Sequence, residues 1–344
     1  MSYETTGSQT EPTTAATLPQ HGNVAEAPQP QPKKQSAATE TPTSDTEDRF
    51  PNGVNWVTGG WMIAMHIGAV AAFWFVSWQA LALCLVLHWV SACLGVTLGY
   101  HRLLTHSGLK VPRVLKYFFS ICGMISAEGS PLYWVAVHRK HHVLSDKEGD
   151  PHSPNDGFWW SHCIWFTPKD SPETVKALHR RWAPDLYNDP VQRFFDKTFI
   201  MYPILLGAIL YSIGEYVWPM GQGLPFLFWG LFVRMVVCYH STWFVNSATH
   251  IWGYRNYDTT DRSTNLWWVA LLSYGEGWHN NHHAHQKLAR HGHKWWELDI
   301  TYLTILALKS VGLARDIHDQ LPAPGTPVDA VVRPKSVASE RVSA

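Results

Sequence analysis

The sequence has only five cysteines and a formal net charge of zero, and each of these features argues against a class of protein. Its five cysteines include no CxxC pair, so neither a zinc ribbon nor a redox dithiol is predicted. Lys and Arg together number 27, as do Asp and Glu, so no nucleic-acid partner is expected. No basic segment followed by an apolar core stands near Met1, so we expect no secretory signal peptide.

Charged side chains are also missing from one long stretch. No Asp, Glu, Lys or Arg occurs from Phe50 to His101, and a transmembrane helix needs about 20 mostly apolar residues. This stretch therefore predicts two spans, and a second apolar block predicts two more. The four predicted spans cover about residues 57–77, 80–100, 198–217 and 225–245. We predict an all-α integral membrane protein with four transmembrane helices in two hairpins.

The two ends of the chain differ from its middle. Residues 1–50 are rich in Thr, Pro, Ser, Gln and Ala and lack apolar periodicity, which predicts a disordered N-terminal tail. Residues 321–344 predict a second disordered tail. One membrane domain is predicted between them, over residues 51–320.

Histidine, by contrast, is abundant. Eight of the 20 histidines stand in three clusters. The clusters read His101-Arg-Leu-Leu-Thr-His106, His138-Arg-Lys-His141-His142 and His279-Asn-Asn-His282-His283. Neutral imidazole is the commonest metal ligand among side chains, and a first-row metal binds at most about six ligands. If the clusters converge, they hold two metals.

The predicted spans place all three clusters on one side of the membrane. An even number of crossings separates the clusters, which leaves residues 101–197 and 246–320 to form a helical cap on that side. Lys and Arg are frequent between residues 102 and 197 and absent from the short hairpin loops. The positive-inside rule then predicts that the cap and both termini are cytoplasmic.

The spacing of the histidines favours a shared site. His138, His141 and His142 stand at i, i+3 and i+4, on one face of a helix, and the third cluster repeats this spacing. His101 and His106 are about 140° apart on an ideal α-helix, so they converge only if the helix ends or bends there. The alternatives are unrelated surface histidines and two closed zinc sites. Iron fits better, because oxygen activation needs a redox-active metal with open positions.

The three clusters resemble those of the membrane fatty acid desaturases, specifically the Δ9 (stearoyl-type) branch and its cyanobacterial and other bacterial members. The similarity runs from about Trp56 to Gly312. Further matching segments are Gly275-Glu-Gly-Trp-His279, Asn246-Ser-Ala-Thr-His250, Asp150-Pro-His152 and Gly157-Phe-Trp-Trp-Ser-His162.

The resemblance implies a di-iron centre held by nine histidines. Carried over position by position, they are His101, His106, His138, His141, His142, His250, His279, His282 and His283. Asn246 matches an asparagine that reaches one iron through water. Sequence spacing alone does not single out His250, which follows the predicted fourth span.

The resemblance also implies the reaction. Two iron ions and O2 introduce a cis double bond into a saturated acyl chain, held in an apolar tunnel that Trp134, Thr242 and Trp243 line. Ala136 stands where animal acyl-CoA enzymes carry an arginine, which favours a membrane glycerolipid over acyl-CoA as the carrier. The sequence contains no His-Pro-Gly-Gly haem motif, GxGxxG motif or iron–sulfur cysteine set. We therefore expect an external electron donor, a ferredoxin or cytochrome b5.

Two other functions share parts of this pattern. A membrane di-iron hydroxylase has similar histidine boxes and makes an alcohol instead of an olefin. A metal transporter needs ligands along a path through its spans, whereas these clusters crowd one side. Among the remaining histidines, we expect His285, His291 and His293 on a solvated surface. His152 and His162 are expected either to orient metal ligands or to pack in the core.

Overall fold

The computed structural model describes residues 49–321 and residue 323. All regular structure in this part of the chain is helical, and strand pairing is limited to isolated bridges. Apart from their innermost residues, both predicted tails lie outside the described residues.

Thirteen α-helices are described. They are α1 (Trp56–Ala71), α2 (Trp78–His88), α3 (Arg113–Met124), α4 (Pro131–Leu144), α5 (Pro172–Trp182), α6 (Pro184–Tyr187), α7 (Pro190–Thr198), α8 (Met201–Tyr216), α9 (Gly223–Leu227), α10 (Arg234–Ser247), α11 (Trp267–Leu272), α12 (His279–Ala284) and α13 (Ile300–Ser310). Wider π-helical segments are Trp89–Thr105, Trp160–Ile164 and Phe228–Val233, and 3-10 turns are Ala72–Trp74, Pro154–Asp156 and Ala248–His250.

Three continuous helical rods among the described residues are long and apolar enough to cross a membrane. They are Trp56–Trp74, Trp78–Thr105 and Gly223–His250. On the first rod, large apolar side chains point outward, with Ile67 65% and Phe73 73% exposed. Large apolar side chains that point outward along a whole helix suit a lipid environment, because their exposure to water would cost free energy.

The predicted third span is not a single straight helix. α7 and α8 meet at a bend of 64°. α8 alone has 16 residues, or about 24 Å at 1.5 Å per residue, which is less than the roughly 30 Å apolar core of a bilayer. The described residues thus contain three candidate spans, or four if the bent pair counts as one span.

The helical rods are held together by close backbone contact and by one buried cation. A Cβ atom placed on Gly95 would lie 2.3 Å from the carbonyl carbon of Cys122, so only glycine lets α3 approach the second rod this closely. Arg234, which is fully buried, donates through Nη1 to the carbonyl oxygen of Ile125 at the end of α3. This contact satisfies a carbonyl that the helix leaves unpaired.

Candidate metal centre

The first histidine cluster lies on a π-helix. The second rod does not end near residue 100 as predicted. It continues to Thr105 with wider turns, and the amide of His106 donates to the carbonyl oxygen of His101 at 3.2 Å. In this i to i+5 pattern, residues five apart share a face. The rings of His101 and His106 are therefore 4.8 Å apart, without the bend that an α-helix would need.

The second cluster lies on α4. Ser130 caps this helix by accepting from the amide of Tyr133 at 3.1 Å, and Pro131 occupies the first turn. The three histidines of α4 then follow on one face.

The third cluster lies on the short helix α12, which is anchored by the two asparagines between its histidines. The side-chain oxygen of Asn280 accepts from the amides of Asn256 and Tyr257, both at 2.8 Å. Asn281 donates to the carbonyl oxygen of His291 at 2.8 Å and to Glu297 at 2.7 Å. The asparagines therefore fix the backbone of α12, and leave its histidines to face the other clusters.

The structure brings the nine histidines together in two groups. The first group contains His101, His106, His138, His142 and His282, and the second contains His141, His250, His279 and His283. Within each group, one ring nitrogen of every histidine lies within 4.8 Å of the others. The second and third sequence clusters are each divided between the two groups, because α4 and α12 both contribute histidines to each group.

The distances between ring nitrogens fit a metal cage. The Nε2 atoms of His101 and His282 are 3.0 Å apart, and those of His250 and His279 are 3.1 Å apart. Two nitrogens at right angles on one ion, each about 2.1 Å from it, lie about 3.0 Å apart. Several further ring nitrogens are buried and have no hydrogen-bond partner within the described part of the chain, among them Nε2 of His141 and of His283. Buried, unpaired lone pairs that converge are costly unless a cation occupies the space between them.

Four carboxylates orient the histidines from behind. The Nδ1 atoms of four histidines each face a carboxylate oxygen, which leaves Nε2 for a metal. The pairs are His101–Glu276 at 2.7 Å, His141–Asp150 at 2.9 Å, His250–Asp146 at 3.1 Å and His283–Asp261 at 2.6 Å. Asp146 and Asp261 could not be identified from the sequence, because loop carboxylates have no fixed spacing from the histidines they contact.

The electrostatics favour neutral imidazole at three histidines of the first group and an ionised carboxylate at Asp261. His141 differs, because despite burial the adjacent Asp150 raises its pKa. Burial, together with the neighbouring imidazoles, lowers the pKa values of His138, His142 and His282 well below the ordinary histidine range. Despite burial, the nearby His283 lowers the pKa of Asp261 well below its ordinary value. Neutral imidazole is the form that binds metals. An all-imidazole donor set suits iron, zinc, copper or nickel.

A buried arginine joins the first and third histidine segments through two carboxylates. Arg102 is fully buried and donates through Nη2 to Glu276 at 3.0 Å and through Nη1 to Asp299 at 2.9 Å. Glu276 also faces Nδ1 of His101. Arg102 therefore fixes the carboxylate that orients a histidine of the first group.

The expectation of a solvated surface at His285, His291 and His293 is wrong. His285 and His291 are buried, and His293 is partly buried. The segment after α12 folds back over the site, because Asp299 accepts the amide of His291 at 2.7 Å and Glu297 accepts the amide of His293 at 2.6 Å. The ring of His291 lies 4.4 Å from that of His282 and faces Glu276.

His152 and His162 have different surroundings. The ring of His152 lies 4.3 Å from that of His141, so His152 packs against a histidine of the second group. His162 contacts Ser247 at 3.0 Å and His240 at 3.0 Å, away from the nine histidines. The first packs against a site histidine, whereas the second belongs to a separate polar contact between helices.

A cavity of about 720 Å³ reaches the first histidine group. His138 and Asn246 line it there, and so do Trp134, Thr242 and Trp243. Trp134 stacks on the ring of His138, with centroids 4.8 Å apart. An apolar ligand in this cavity would therefore contact the Trp134 ring, which covers one face of the His138 ring.

Sequence reasoning missed several polar residues in the cavity wall, among them a buried carboxylate. Glu128, in the loop between α3 and α4, lines the cavity and accepts from the Thr242 hydroxyl at 2.9 Å and from the Cys238 thiol at 3.2 Å. Burial raises the pKa of Glu128 to about 7. Glu128 could have been identified in the sequence as a single carboxylate between two apolar segments.

An all-helical protein with two imidazole groups beside an apolar cavity has the features of a metal-dependent enzyme for an apolar substrate. The profile for the fatty acid desaturase family matches residues 72–304. An sn-1 stearoyl-lipid 9-desaturase of Anabaena variabilis is 47% identical over 266 residues, covering 77% of this chain and 94% of the relative.

Two further relatives differ in acyl carrier. An sn-2 palmitoyl-lipid 9-desaturase of Nostoc sp. (strain 36) is 41% identical over 276 residues, covering 79% of this chain and 93% of the relative. An icosanoyl-CoA 5-desaturase of Limnanthes douglasii is 42% identical over 258 residues, covering 74% of this chain and 70% of the relative.

The chain belongs to the fatty acid desaturase family and is an oxidoreductase that desaturates fatty acids. The resemblance seen in the histidine clusters is confirmed.

Proposed function

We propose that this protein is a Δ9 desaturase that introduces a cis double bond into a saturated acyl chain of a membrane glycerolipid. The observation that carries this proposal is the cavity that joins the first histidine group to the protein surface. Two of the relatives reported above carry the 9-desaturase name and act on lipid-linked stearoyl or palmitoyl chains.

The proposed cofactor is a pair of iron ions, held by the two histidine groups. The first group offers five imidazoles and the second offers four. Asn246 lines the cavity four residues before His250 and is the proposed water-mediated contact to one iron. When bound, the irons supply O2 activation and hydrogen abstraction. The buried unpaired ring nitrogens and the carboxylate partners support this assignment.

The reaction requires electrons from outside. Each turnover removes one hydrogen from each of two adjacent methylene carbons, and O2 takes up two further electrons and two protons. One cis double bond and two waters result. The proposed donor is a separate one-electron carrier, a ferredoxin or a cytochrome b5.

Trp134, Thr242 and Trp243 are the proposed contacts to the acyl chain beside the irons. Trp134 covers the His138 ring, and Thr242 is fixed by its hydrogen bond to Glu128. These side chains exclude water and hold one pair of methylenes next to the histidines.

The proposed topology has four spans, with α7 and α8 together forming the third, and with the site and both termini in the cytoplasm. The lipid-facing side chains of the first rod support the embedding. The Lys and Arg between residues 102 and 197 support the cytoplasmic side.

The carrier is proposed to be a membrane lipid because of where the cavity opens. Val57 and Ile200 line it and are 85% and 38% exposed. Val57 stands at the start of α1, where a candidate span begins, and Ile200 stands at the bend between α7 and α8, within the proposed third span. This apolar side of the opening admits a chain from the bilayer more directly than from water.

Expression in a host that lacks its own desaturase tests this function. We expect new cis-9 monounsaturated chains in the membrane lipids. His282→Ala should abolish them, whereas His318→Ala, at an exposed position outside both groups, should not. Hydroxylated chains, or full product from the His282→Ala variant, would contradict the proposal.

A further inference from the structure

The outer part of the cavity is polar, unlike its inner part. Asp170, His179 and Asp196 line it together with Ser130 and Tyr133. Asp170 is exposed, which places this polar region at the opening. A lipid whose acyl chain fills the inner part would leave its glycerol and headgroup here.

His179 carries an unused hydrogen-bonding atom at this opening. The residue is 3% exposed, lines the cavity, and has no hydrogen-bond partner on Nε2 among the described residues. A buried unpaired ring nitrogen is costly unless a ligand or water satisfies it. Burial lowers the pKa of His179 below its ordinary value, so the ring is neutral near pH 7 and attracts no anion by charge.

The opening is held in place by contacts between three helices. The Ser130 hydroxyl, at the start of α4, donates to Oδ1 of Asp196 on α7. Oδ2 of Asp196 lies 3.8 Å from Nδ1 of His179 on α5. The His179 ring also lies 6.5 Å from that of Tyr133, with which it makes an edge contact. The donors and acceptors are therefore fixed before a ligand binds.

The charges at the opening disfavour phosphate. The described residues that line the cavity include the carboxylates of Asp170 and Asp196, and none of them is Lys or Arg. Lys140 interacts electrostatically with Asp170 but does not line the cavity. In a phospholipid the phosphate is attached to the glycerol, so it would stand beside two carboxylates. Sugar hydroxyls, by contrast, donate to carboxylates and to a neutral imidazole.

We infer that the opening formed by Ser130, Tyr133, Asp170, His179 and Asp196 is a headgroup site for a neutral, hydroxyl-rich glycerolipid, a glycosyl diacylglycerol. The inference rests on the proposed lipid desaturase function and adds the chemistry of the headgroup. Nε2 of His179 and the carboxylates of Asp170 and Asp196 form hydrogen bonds with the sugar hydroxyls.

The test uses the iron-loaded full chain in nanodiscs with an electron donor. The probes are stearoyl-bearing monohexosyl diacylglycerol, phosphatidylglycerol and phosphatidylethanolamine. We expect the highest kcat/KM for the glycosyl lipid. His179→Leu should raise KM for that lipid by up to about ten-fold, the equivalent of one neutral hydrogen bond, with little change in kcat. His179→Gln, which keeps a donor and an acceptor, should restore part of the loss.

Asp170→Lys gives a second, independent readout at an exposed position. It should raise the use of phosphatidylglycerol relative to the glycosyl lipid by up to about five-fold. Glu173→Lys is the matched control, because Glu173 is exposed on the same segment and does not line the cavity. Mass spectrometry of lipids bound to the purified protein should show the same preference without turnover.

The outcomes separate the two proposals. Equal kcat/KM for all three lipids, or a higher value for either phospholipid, overturns the headgroup site and leaves the desaturase function standing. The same holds if His179→Leu has no effect on KM. If no lipid yields an olefin from iron-loaded protein, the proposed lipid desaturase function itself is wrong.

Discussion

Replacing Glu128 by glutamine should make the protein more stable at neutral pH. Burial raises the pKa of Glu128 to about 7 from an ordinary value of 4.5. Between these two pH values the folded protein holds one proton more than the unfolded chain, so its stability falls as pH rises. Above about pH 7 Glu128 is ionised in both the folded and the unfolded state, so the stability of the protein no longer falls with pH.

The size of the effect follows from the difference between the two pKa values. A pKa of about 7 in place of 4.5 corresponds to up to about 3 kcal/mol of lost stability at neutral pH. Glu128→Gln removes this cost, and its amide oxygen still accepts from the Thr242 hydroxyl.

Thermal unfolding in detergent micelles, followed by tryptophan fluorescence, measures this. The Tm of Glu128→Gln minus that of the unsubstituted protein should grow from about pH 4.5 to about pH 7 and then level off. Comparing the two proteins at each pH cancels the effect of acid on the histidine groups. Glu173→Gln, at an exposed position, is the control. A difference in Tm that is constant across this range would refute the reasoning.

Three further predictions concern the site, the cavity and the packing. Asp261→Asn removes the charged partner of a site histidine and should weaken iron binding about 10- to 100-fold, measured as iron retained against a chelator, whereas the exposed Asp258→Asn should not. Trp134→Ala enlarges the cavity beside the histidines, so the double bond should spread over several positions, as read by mass spectrometry of the products. Gly95→Ala places a methyl group 2.3 Å from a backbone carbon of α3 and should lower Tm, whereas Gly59→Ala, with open space around it, should leave Tm unchanged or raise it.

The long apolar stretches could be predicted from the sequence because burial in lipid demands a nearly uninterrupted run of apolar residues. The bend between α7 and α8 could not, because hydropathy records composition and not the direction of the helix axis. The continuation of the second rod to Thr105 as a π-helix was missed for a related reason. A wide turn has no distinct pattern of side chains, although the five-residue spacing of His101 and His106 fits it.

The histidines of the site could be named in advance only in part. Two of the three clusters have helical spacing, which indicates a shared face. His250 came from family resemblance, and its neighbours Asp146 and Asp261 came only from the folded structure, since loops bring them to the site. The burial of His291 depends on Asp299 and Glu297, which lie several residues further along the chain. Contacts of this kind are set by the tertiary fold and leave no periodic trace in the sequence.

The most direct test of the central claim is the product formed by purified, iron-loaded protein from a stearoyl glycerolipid, O2 and a reduced electron donor. The proposed function predicts a chain that has lost two hydrogens, with a cis double bond at position 9, and about two irons bound per chain. A hydroxylated chain, or no product from protein that retains both irons, would contradict it.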